Sequence, residues 1–346
     1  MTTLADLPLP LDFRPMEAKL VQALPTGPGW RFEPKWDGFR CIAFRSGEIV
    51  DLRAKSGKPL ARYFPDVAAL LQALPVERFI LDGELTIPVH GELSFDALQM
   101  RLHPAESRVR KLAADTPATF VLFDCLADAR GHSLAEAPLT RRRATLEALF
   151  ERFSGAARLR LTPGTDDVDE ARAWLARTGA ALDGVVAKQL DGPYASGERA
   201  MLKIKRLRTA DCVVGGFRYE ANSQEVGSLL LGLYDEAGRL DHVGFTSAIS
   251  DAERPELTKR LEKLVGGPGF TGDAPRGPSR WSNGRSAEWT PLKTKLVVEV
   301  RYDHVTGERF RHGTTLLRWR PDKAPRQCTV AQLRSESTSL LGQGLS

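Results

Sequence analysis

The spacing of hydrophobic residues divides the chain into a first part of mixed helices and strands and a second part dominated by strands. Between residues 30 and 53 the pattern predicts two strands around a turn at 45–48, because apolar and polar side chains alternate from Phe39 to Phe44. In the rest of the first part, the pattern predicts strands at about 78–87, 119–126 and 184–188, and helices at about 65–74, 94–102, 139–153 and 167–178.

The second part begins near residue 209 and has a simpler pattern. It predicts one helix at about 251–265 and five strands, of which three precede the helix and two follow it, at about 211–219, 228–235, 240–247, 296–302 and 314–319. This order is typical of an OB-fold, and an SH3-like barrel is the structural alternative. We therefore predict two domains, 1–208 and 209–346, with a hinge at 208–211.

Composition limits the function only loosely. The 346 residues carry a net charge of +5, which permits nucleic-acid binding without demonstrating it. The four cysteines are far apart in the sequence and form no Cys-x-x-Cys pair, which argues against a zinc knuckle or a disulfide framework and favours a reducing cytoplasm. No apolar stretch approaches the roughly 20 residues that cross a membrane.

The strongest chemical candidate is Lys35, within the run Glu33-Pro34-Lys35-Trp36-Asp37-Gly38-Phe39-Arg40. A protonated lysine is a weak nucleophile, and neighbouring cations or burial favour its neutral, reactive form. The planar guanidinium of Arg40 suits sugar hydroxyls or phosphates. The structural alternative is a strand that ends in an Asp-Gly hairpin.

Further segments place polar or aromatic side chains beside apolar strands. Glu84 and Asp183 each lie next to a glycine and an apolar run, and Phe123 lies within one. Lys203 and Lys205 alternate with hydrophobic residues, so both should emerge on one face of a strand. Each has a structural explanation of its own, as a turn, core or solvated edge residue, but their order along the chain favours one shared site.

Taken in order, these segments resemble the nucleotidyltransferase motifs of ATP-dependent DNA ligases and mRNA capping enzymes. The resemblance extends over almost the whole chain, because Arg318-Trp319-Arg320-Pro321-Asp322-Lys323 looks like the last motif of the family. It is closest to the short bacterial ligases of the ligase C group. It implies an α+β fold, with an ATP-grasp-like adenylation (nucleotidyltransferase) domain followed by a C-terminal OB-fold β-barrel.

The resemblance also implies catalytic roles. Lys35 would attack the α-phosphate of ATP to form lysyl-AMP, and Lys203 and Lys205 would neutralise that phosphate and favour the neutral amine. Glu84 and Asp183 would hold Mg²⁺ or Mn²⁺ near the phosphates. Relatives usually carry glutamate where this chain has Asp183, so the shorter side chain is expected to contact the metal through water.

The remaining implied roles concern AMP, DNA and pyrophosphate. Phe123 would stack on adenine, Glu33 would lie on the adenine side, and Arg40 would hold the ribose. Arg53 and Arg199 would contact the AMP or the 5′-phosphate of a nick. In the second domain, the leaving pyrophosphate would be oriented by Arg311, Arg320, Asp322 and Lys323.

The implied function is an ATP-dependent DNA ligase that seals 3′-OH/5′-phosphate nicks through lysyl-AMP and AMP–DNA. The alternatives are an RNA ligase or a capping-type guanylyltransferase, which use the same lysine chemistry, and a catalytically silent module that binds DNA ends. We expect a monomeric, cytoplasmic and nucleoid-associated repair enzyme that acts on nicked double-stranded DNA, with an end-binding protein or a repair polymerase as candidate partners. The basic segment 266–286, with Arg276, Arg280 and Arg285, is either a DNA contact or a surface loop.

Overall fold

A computed structural model describes residues 3–153, 155–176, 182–205, 208–275 and 288–333. The chain divides into two compact units, with the division between residues 206 and 207. Arg276, Arg280 and Arg285, the three arginines singled out as a candidate DNA contact, lie outside the described residues.

The first unit combines strands and helices throughout its length. Its helices are α1 (Pro65–Gln72), α2 (Phe95–Arg101), α3 (Glu106–Asp115), α4 (Leu139–Glu151) and α5 (Val168–Ala176), after a 3₁₀ helix at Leu4–Asp6. Its strands are β1 (Ala18–Leu20), β2 (Trp30–Trp36), β3 (Phe39–Ser46), β4 (Ile49–Ala54), β5 (Arg78–Thr86), β6 (Pro88–Val89), β7 (Glu92–Leu93), β8 (Thr119–Ala127), β9 (Leu159–Leu161), β10 (Leu182–Gln189) and β11 (Met201–Ile204).

Two β-sheets form the frame of the first unit. One has four strands in the order β1-β11-β10-β2, and the other has five in the order β4-β3-β5-β8-β9. The pairs β1–β11 and β8–β9 are parallel, and the other pairs in these two sheets are antiparallel. The main core joins the five-stranded sheet to the helices, with fully buried side chains that include Leu71, Leu81, Leu98, Leu122 and Leu146.

The predicted pair of strands around the turn at 45–48 is present as β3 and β4, which pair antiparallel up to Ser46 and Ile49. The predicted number of strands between residues 30 and 53 is wrong, because β2 precedes this pair as a third strand. Only Asp37 and Gly38 separate β2 from β3, yet these strands belong to different sheets. The two residues therefore carry the chain from one sheet to the other instead of closing a hairpin. Gly38 makes this possible, because a Cβ atom there would lie 2.2 Å from the carbonyl oxygen of Leu85.

Helix α3 was not predicted from the sequence. Among its ten residues, only Val109 and Ala113 are buried. Most of its ten residues are polar, so few apolar positions mark it in the sequence. Helix α2, in contrast, begins where the sequence predicted, because the Ser94 hydroxyl accepts a hydrogen bond from the backbone N–H of Ala97 at 3.2 Å.

The second unit is mostly strands. They are β12 (Arg208–Tyr219), β13 (Val226–Tyr234), β14 (Leu240–Thr246), β15 (Thr290–Pro291), β16 (Val297–Tyr302), β17 (Val305–Thr306), β18 (Arg309–Phe310) and β19 (Thr315–Trp319). Helix α6 (Arg254–Glu262) follows β14, and two 3₁₀ helices lie at Pro325–Gln327 and Val330–Leu333.

The five longer strands of this unit close into a barrel. Their order is β14-β13-β12-β16-β19, and the two outer strands meet where Thr246 forms a parallel bridge with Thr314. The Thr246 hydroxyl donates a hydrogen bond to the carbonyl oxygen of Thr314 at 2.9 Å. Closure of these five strands, with α6 between the third and the fourth, confirms the predicted OB-fold.

All four cysteines, Cys41, Cys125, Cys212 and Cys328, are buried and free. Burial raises the pKa of each thiol, to about 11 for Cys328. Buried thiols that stay protonated are poor nucleophiles. Among the helices that the structure describes, none is long and apolar enough to span a membrane.

Candidate active site

A cavity of about 200 Å³ in the first unit gathers many of the side chains selected from the sequence. Its walls include residues from both β-sheets, and apolar side chains such as Met16 and Val186 contribute to them. The predicted site residues that line it are Glu33, Lys35, Arg40, Glu84, Phe123 and Lys203.

Lys35 shares a carboxylate with Lys205 in the first unit. The Nζ atom of Lys35 lies 2.6 Å from Oδ2 of Asp183, and the Nζ atom of Lys205 lies 3.0 Å from the same oxygen. The Asp183 side chain is only 8% exposed, so water screens these charges weakly. The carboxylate therefore fixes the predicted nucleophile beside a second lysine of the predicted site.

A β-bulge places Asp183 opposite Lys35. Leu182 pairs with Trp36 and Gly184 pairs with Lys35, so Asp183 is an extra residue in β10. Gly184 has a φ of +146°, and a Cβ atom there would lie 2.0 Å from a backbone carbonyl oxygen. The bulge therefore requires glycine directly after the carboxylate.

The electrostatics of this cluster favour a bound anion. Burial alone would raise the pKa of Asp183, but the charges of Lys35 and Lys205 outweigh burial and lower it. The pKa of Lys203 is lowered by burial and then by the charges of Lys35, Lys205 and Lys55. Asp183 therefore stays ionised, whereas Lys203 lies among cations that a phosphate group would neutralise.

Glu84 is a carboxyl group of a different kind. Burial raises its pKa to about 7, against the opposing effect of Arg40 and Lys35. A divalent cation would offset this cost of burying a charge, so Glu84 suits a metal ion. Within the described residues, no group of three or more His, Cys, Asp or Glu side chains could hold a metal. A site with only one or two carboxylates fits Mg²⁺, because Mg²⁺ keeps several waters and binds substrate phosphates as well.

Phe123 also projects from a bulge. Leu122 and Asp124 pair with consecutive residues of β5, so Phe123 between them is an extra residue in β8. The guanidinium carbon of Arg40 lies 4.5 Å from the centre of the Phe123 ring, and Nζ of Lys188 lies 4.8 Å from it. The ring is therefore exposed to the cavity and held between cations.

Arg40 is fixed by a buried carboxylate. Its Nε donates to Oδ1 of Asp82 at 2.6 Å, and its Nη2 donates to Oδ2 of Asp82 at 2.6 Å and to the carbonyl oxygen of Met16 at 3.2 Å. The Tyr194 hydroxyl donates to Oδ2 of Asp82 at 2.5 Å. These contacts orient the guanidinium at the wall of the cavity.

Glu33 is buried, and one of its oxygens is unsatisfied. Its Oε2 lies 2.7 Å from Nζ of Lys188. Its Oε1 lies 3.6 Å from Arg31 and 3.9 Å from Arg143, and within the described chain it accepts no hydrogen bond. A buried carboxylate oxygen in this state is suited to an N–H donor from a ligand.

Arg53 and Arg199 do not line the cavity. Arg53 donates to Asp51 at 2.7 Å and to the carbonyl oxygen of Gly57 at 3.3 Å. The Arg199 side chain is 75% exposed and lies 3.9 Å from Glu17. Neither arginine is therefore part of the cavity wall, although Arg199 approaches Glu17, which is.

In the second unit, Arg320 and Lys323 converge on Asp211. Arg320 lies 2.9 Å from Oδ1 of Asp211, and Lys323 lies 2.6 Å from Oδ2. Asp322 pairs with Arg320 at 2.8 Å. The Gln332 side chain accepts from the backbone N–H of Asp211 at 3.0 Å and donates to its carbonyl oxygen at 3.2 Å. Two of the cations predicted to meet pyrophosphate, Arg320 and Lys323, are thus neutralised by carboxylates of their own unit.

The sequence reasoning missed four residues of these clusters. Asp82 and Lys188 did leave a signal, since each is a charged residue at the end of a buried apolar run. Tyr194 and Asp211 left none, because their partners lie 112 and 109 residues away in the sequence. Only the folded chain brings these pairs together.

Comparison with known proteins identifies the family. Residues 15–205 match the model of the ATP dependent DNA ligase domain, and residues 222–323 match that of the ATP dependent DNA ligase C terminal region. The chain belongs to the ATP-dependent DNA ligases. The motif order predicted this membership, and the RNA-ligase and capping-enzyme alternatives are not favoured.

The relatives of this ligase include short bacterial enzymes. DNA ligase C2 of Mycolicibacterium smegmatis is 44% identical over 351 residues, which cover 95% of this chain and 96% of that protein. DNA ligase C of Mycobacterium tuberculosis is 44% identical over 354 residues, which cover 96% of each. The crystal structure of the ligase domain of M. tuberculosis LigD is 28% identical, with a TM-score of 0.50 over 92% of this chain and 98% of that chain. This ligase is therefore placed in the ligase C group, as the sequence predicted.

Proposed function

We propose that this ligase seals nicks with a 3′-OH and a 5′-phosphate in double-stranded DNA during repair, through lysyl-AMP and AMP–DNA. The observation that carries the proposal is the Lys35 amine, held by Asp183 on the wall of a cavity together with other cations. Membership of the ATP-dependent DNA ligases supports ATP as the nucleotide.

In the first step, the neutral Nζ of Lys35 attacks the α-phosphorus of ATP. A P–N bond forms, the bond from the α-phosphorus to the bridging oxygen breaks, and pyrophosphate leaves with that oxygen. The attacking nitrogen loses one proton to solvent and keeps the other in the phosphoramidate. Lys203 and Lys205 stabilise the charge that develops on the α-phosphate. Asp183, with its lowered pKa, is a poor proton acceptor, so its part is to orient Lys35.

The cavity offers complementary groups for adenosine. Phe123 provides an aromatic face for adenine, and Oε1 of Glu33 provides an acceptor suited to the exocyclic amine of adenine. Arg40, with two of its nitrogens held by Asp82, offers its remaining edge to the ribose hydroxyls. These groups would favour ATP over GTP, which carries a carbonyl where adenine has its amine.

Glu84 and Asp183 would hold Mg²⁺ or Mn²⁺, which would supply positive charge to the triphosphate. Glu84 fits this role because it lines the cavity with a raised pKa. Asp183 fits it as a second, ionised carboxylate beside Lys35. The Asp183 carboxylate lies at the bulge in β10 and contacts Lys35 at 2.6 Å.

The other proposed contacts involve DNA and pyrophosphate. Arg53 and Arg199 would contact the AMP or the 5′-phosphate of the nick; the exposed Arg199 side chain is free enough to reach DNA. Pyrophosphate would be oriented by Arg320, Asp322 and Lys323. We further propose a monomer in the cytoplasm, associated with the nucleoid, with an end-binding protein or a repair polymerase as partner.

The test is transfer of labelled AMP and its delivery to a nick. Wild type, Lys35→Ala and a control with an exposed lysine changed, Lys111→Ala, are incubated with α-labelled ATP or GTP, and then with nicked DNA or nicked RNA. We expect stable labelling from ATP in wild type and control, no labelling in Lys35→Ala, and sealing of DNA. Labelling of Lys35→Ala would refute the nucleophile, and labelling from GTP or sealing confined to RNA would favour the alternatives.

A further inference from the structure

A buried chain of hydrogen bonds connects Tyr194 to the cavity. The Tyr194 hydroxyl donates to Oδ2 of Asp82 at 2.5 Å, and Asp82 accepts two hydrogen bonds from Arg40 at 2.6 Å each. Asp82 is fully buried and Tyr194 is 3% exposed, whereas Arg40 lines the cavity. Tyr194 is therefore linked to Arg40, a side chain of the cavity wall, through the single intermediate residue Asp82.

The Tyr194 side chain is itself firmly placed. Its ring stacks on Phe13 with the centroids 5.9 Å apart, and the guanidinium carbon of Arg142 lies 5.7 Å from its centre. Its backbone N–H donates to the carbonyl oxygen of Ala135 at 2.7 Å. Burial, and then the charge of Asp82, raise the pKa of Tyr194 well above its usual value, so the hydroxyl keeps its proton and remains a donor.

This donor limits how the Asp82 carboxylate can rotate. Arg40 takes one lone pair from each oxygen, and Tyr194 takes a further one from Oδ2. With Nε and Nη2 of Arg40 committed to Asp82 and to the Met16 carbonyl, Nη1 is the guanidinium nitrogen for which the described chain supplies no acceptor. A fixed carboxylate thus leaves one defined donor available at the wall of the cavity.

We propose that Tyr194 is a positioning residue for ATP, which holds Asp82 so that Arg40 presents a donor to the ribose. This inference rests on the proposed role of Arg40 at the ribose. Tyr194 touches neither the nucleotide nor the reacting atoms, and it acts on affinity and sugar recognition instead of on the attack by Lys35.

The experiment compares Tyr194→Phe with wild type in single-turnover lysyl-AMP formation, with ATP, 2′-deoxyATP and 3′-deoxyATP as separate substrates. The substitution removes only the hydroxyl. We expect the half-saturating ATP concentration to rise about 10-fold, because a charge-assisted hydrogen bond is lost, while the rate at saturation changes less than about 2-fold. Wild type should prefer ATP over the deoxynucleotide that lacks the contacted hydroxyl. We expect this preference to be smaller in Tyr194→Phe, because the variant already weakens the contact to that hydroxyl.

Two further variants separate this inference from the proposed function and from simple loss of packing. Arg40→Ala should abolish the preference for the ribose hydroxyl; an unchanged preference would refute the ribose role of Arg40 and the inference with it. If Arg40→Ala loses the preference but Tyr194→Phe keeps both wild-type affinity and preference, only the inference is refuted.

Phe13→Leu disturbs the packing of the Tyr194 ring but keeps the hydroxyl, and it should retain the ATP preference. An equal loss for all three nucleotides in Tyr194→Phe would show a structural role and overturn the proposal.

Discussion

Glu84 should make the stability of the ligase fall as the pH rises from mildly acidic to mildly basic. Its pKa is about 7 in the folded protein, against an ordinary value of 4.5, because burial disfavours the charged form. Replacement by glutamine keeps the shape and removes the ionisation. The Glu84→Gln variant should therefore gain stability relative to wild type as the pH rises.

The sign and the size follow from proton linkage. A carboxyl group with a raised pKa binds its proton more tightly in the folded state, so the stability it contributes is complete below pH 4.5 and is lost as the pH rises towards 7. Between pH 5 and pH 8 this loss amounts to about 2.5 kcal/mol, since each pKa unit corresponds to 1.36 kcal/mol. Glu84 is partly exposed at the cavity, so solvent screening makes this the upper value.

The assay is urea unfolding of wild type and Glu84→Gln at a series of pH values from 5 to 8, with Glu151→Gln as a control at an exposed glutamate. The difference in unfolding free energy between Glu84→Gln and wild type should grow across this range, and the control should run parallel to wild type. Parallel curves for all three proteins would refute the buried, proton-binding carboxyl group. Addition of Mg²⁺ should reduce the pH dependence of wild type if Glu84 binds the ion.

Further predictions concern the phosphate contacts. Lys203→Ala or Lys205→Ala should slow lysyl-AMP formation by roughly 100- to 1,000-fold in single-turnover assays, since each removes a preorganised cation; normal rates in both would contradict their placement at the α-phosphate. Joint replacement of Arg320 and Lys323 by alanine should impair lysyl-AMP formation more than the sealing of DNA that already carries AMP, because pyrophosphate leaves only in the first step; equal losses would indicate a general defect. Asp211→Asn should strengthen inhibition by added pyrophosphate about 10-fold, because it removes the carboxylate that neutralises Arg320 and Lys323. Unchanged inhibition would argue that Asp211 and pyrophosphate do not compete for these two cations. Nick affinity measured against salt concentration should fall with a log–log slope of roughly −0.9 for each phosphate neutralised, and a slope near zero would contradict an electrostatic grip on DNA.

The hydrophobic pattern was sufficient to predict the OB-fold and several of the longer strands of the first unit. A strand with one buried face alternates apolar and polar residues, so it can be recognised in the sequence. The order of five strands with one helix after the third was predicted in this way, and the bridge between Thr246 and Thr314 closes these strands into a barrel. The crossing at Asp37 and Gly38 was not predictable in this way. Alternation of apolar and polar residues indicates that a segment is extended, but it does not specify which sheet receives it.

The candidate site shows the same division between local and long-range information. Motif order was enough to select Lys35, Glu84 and Lys203, which the cavity brings together. The two bulges that aim Asp183 and Phe123 could not be predicted, because a bulge is a property of the pairing between two strands and is absent from either strand alone.

The burial of all four cysteines makes this ligase convenient for distance measurements. Because Cys41, Cys125, Cys212 and Cys328 are buried, cysteines introduced at exposed positions would be the only exposed thiols in the protein. Lys111→Cys in α3 and Lys259→Cys in α6 would place one such thiol on each unit. Maleimide dyes could then be attached without removing any native cysteine, and energy transfer between the dyes would follow the separation of the two units as ATP and nicked DNA are added.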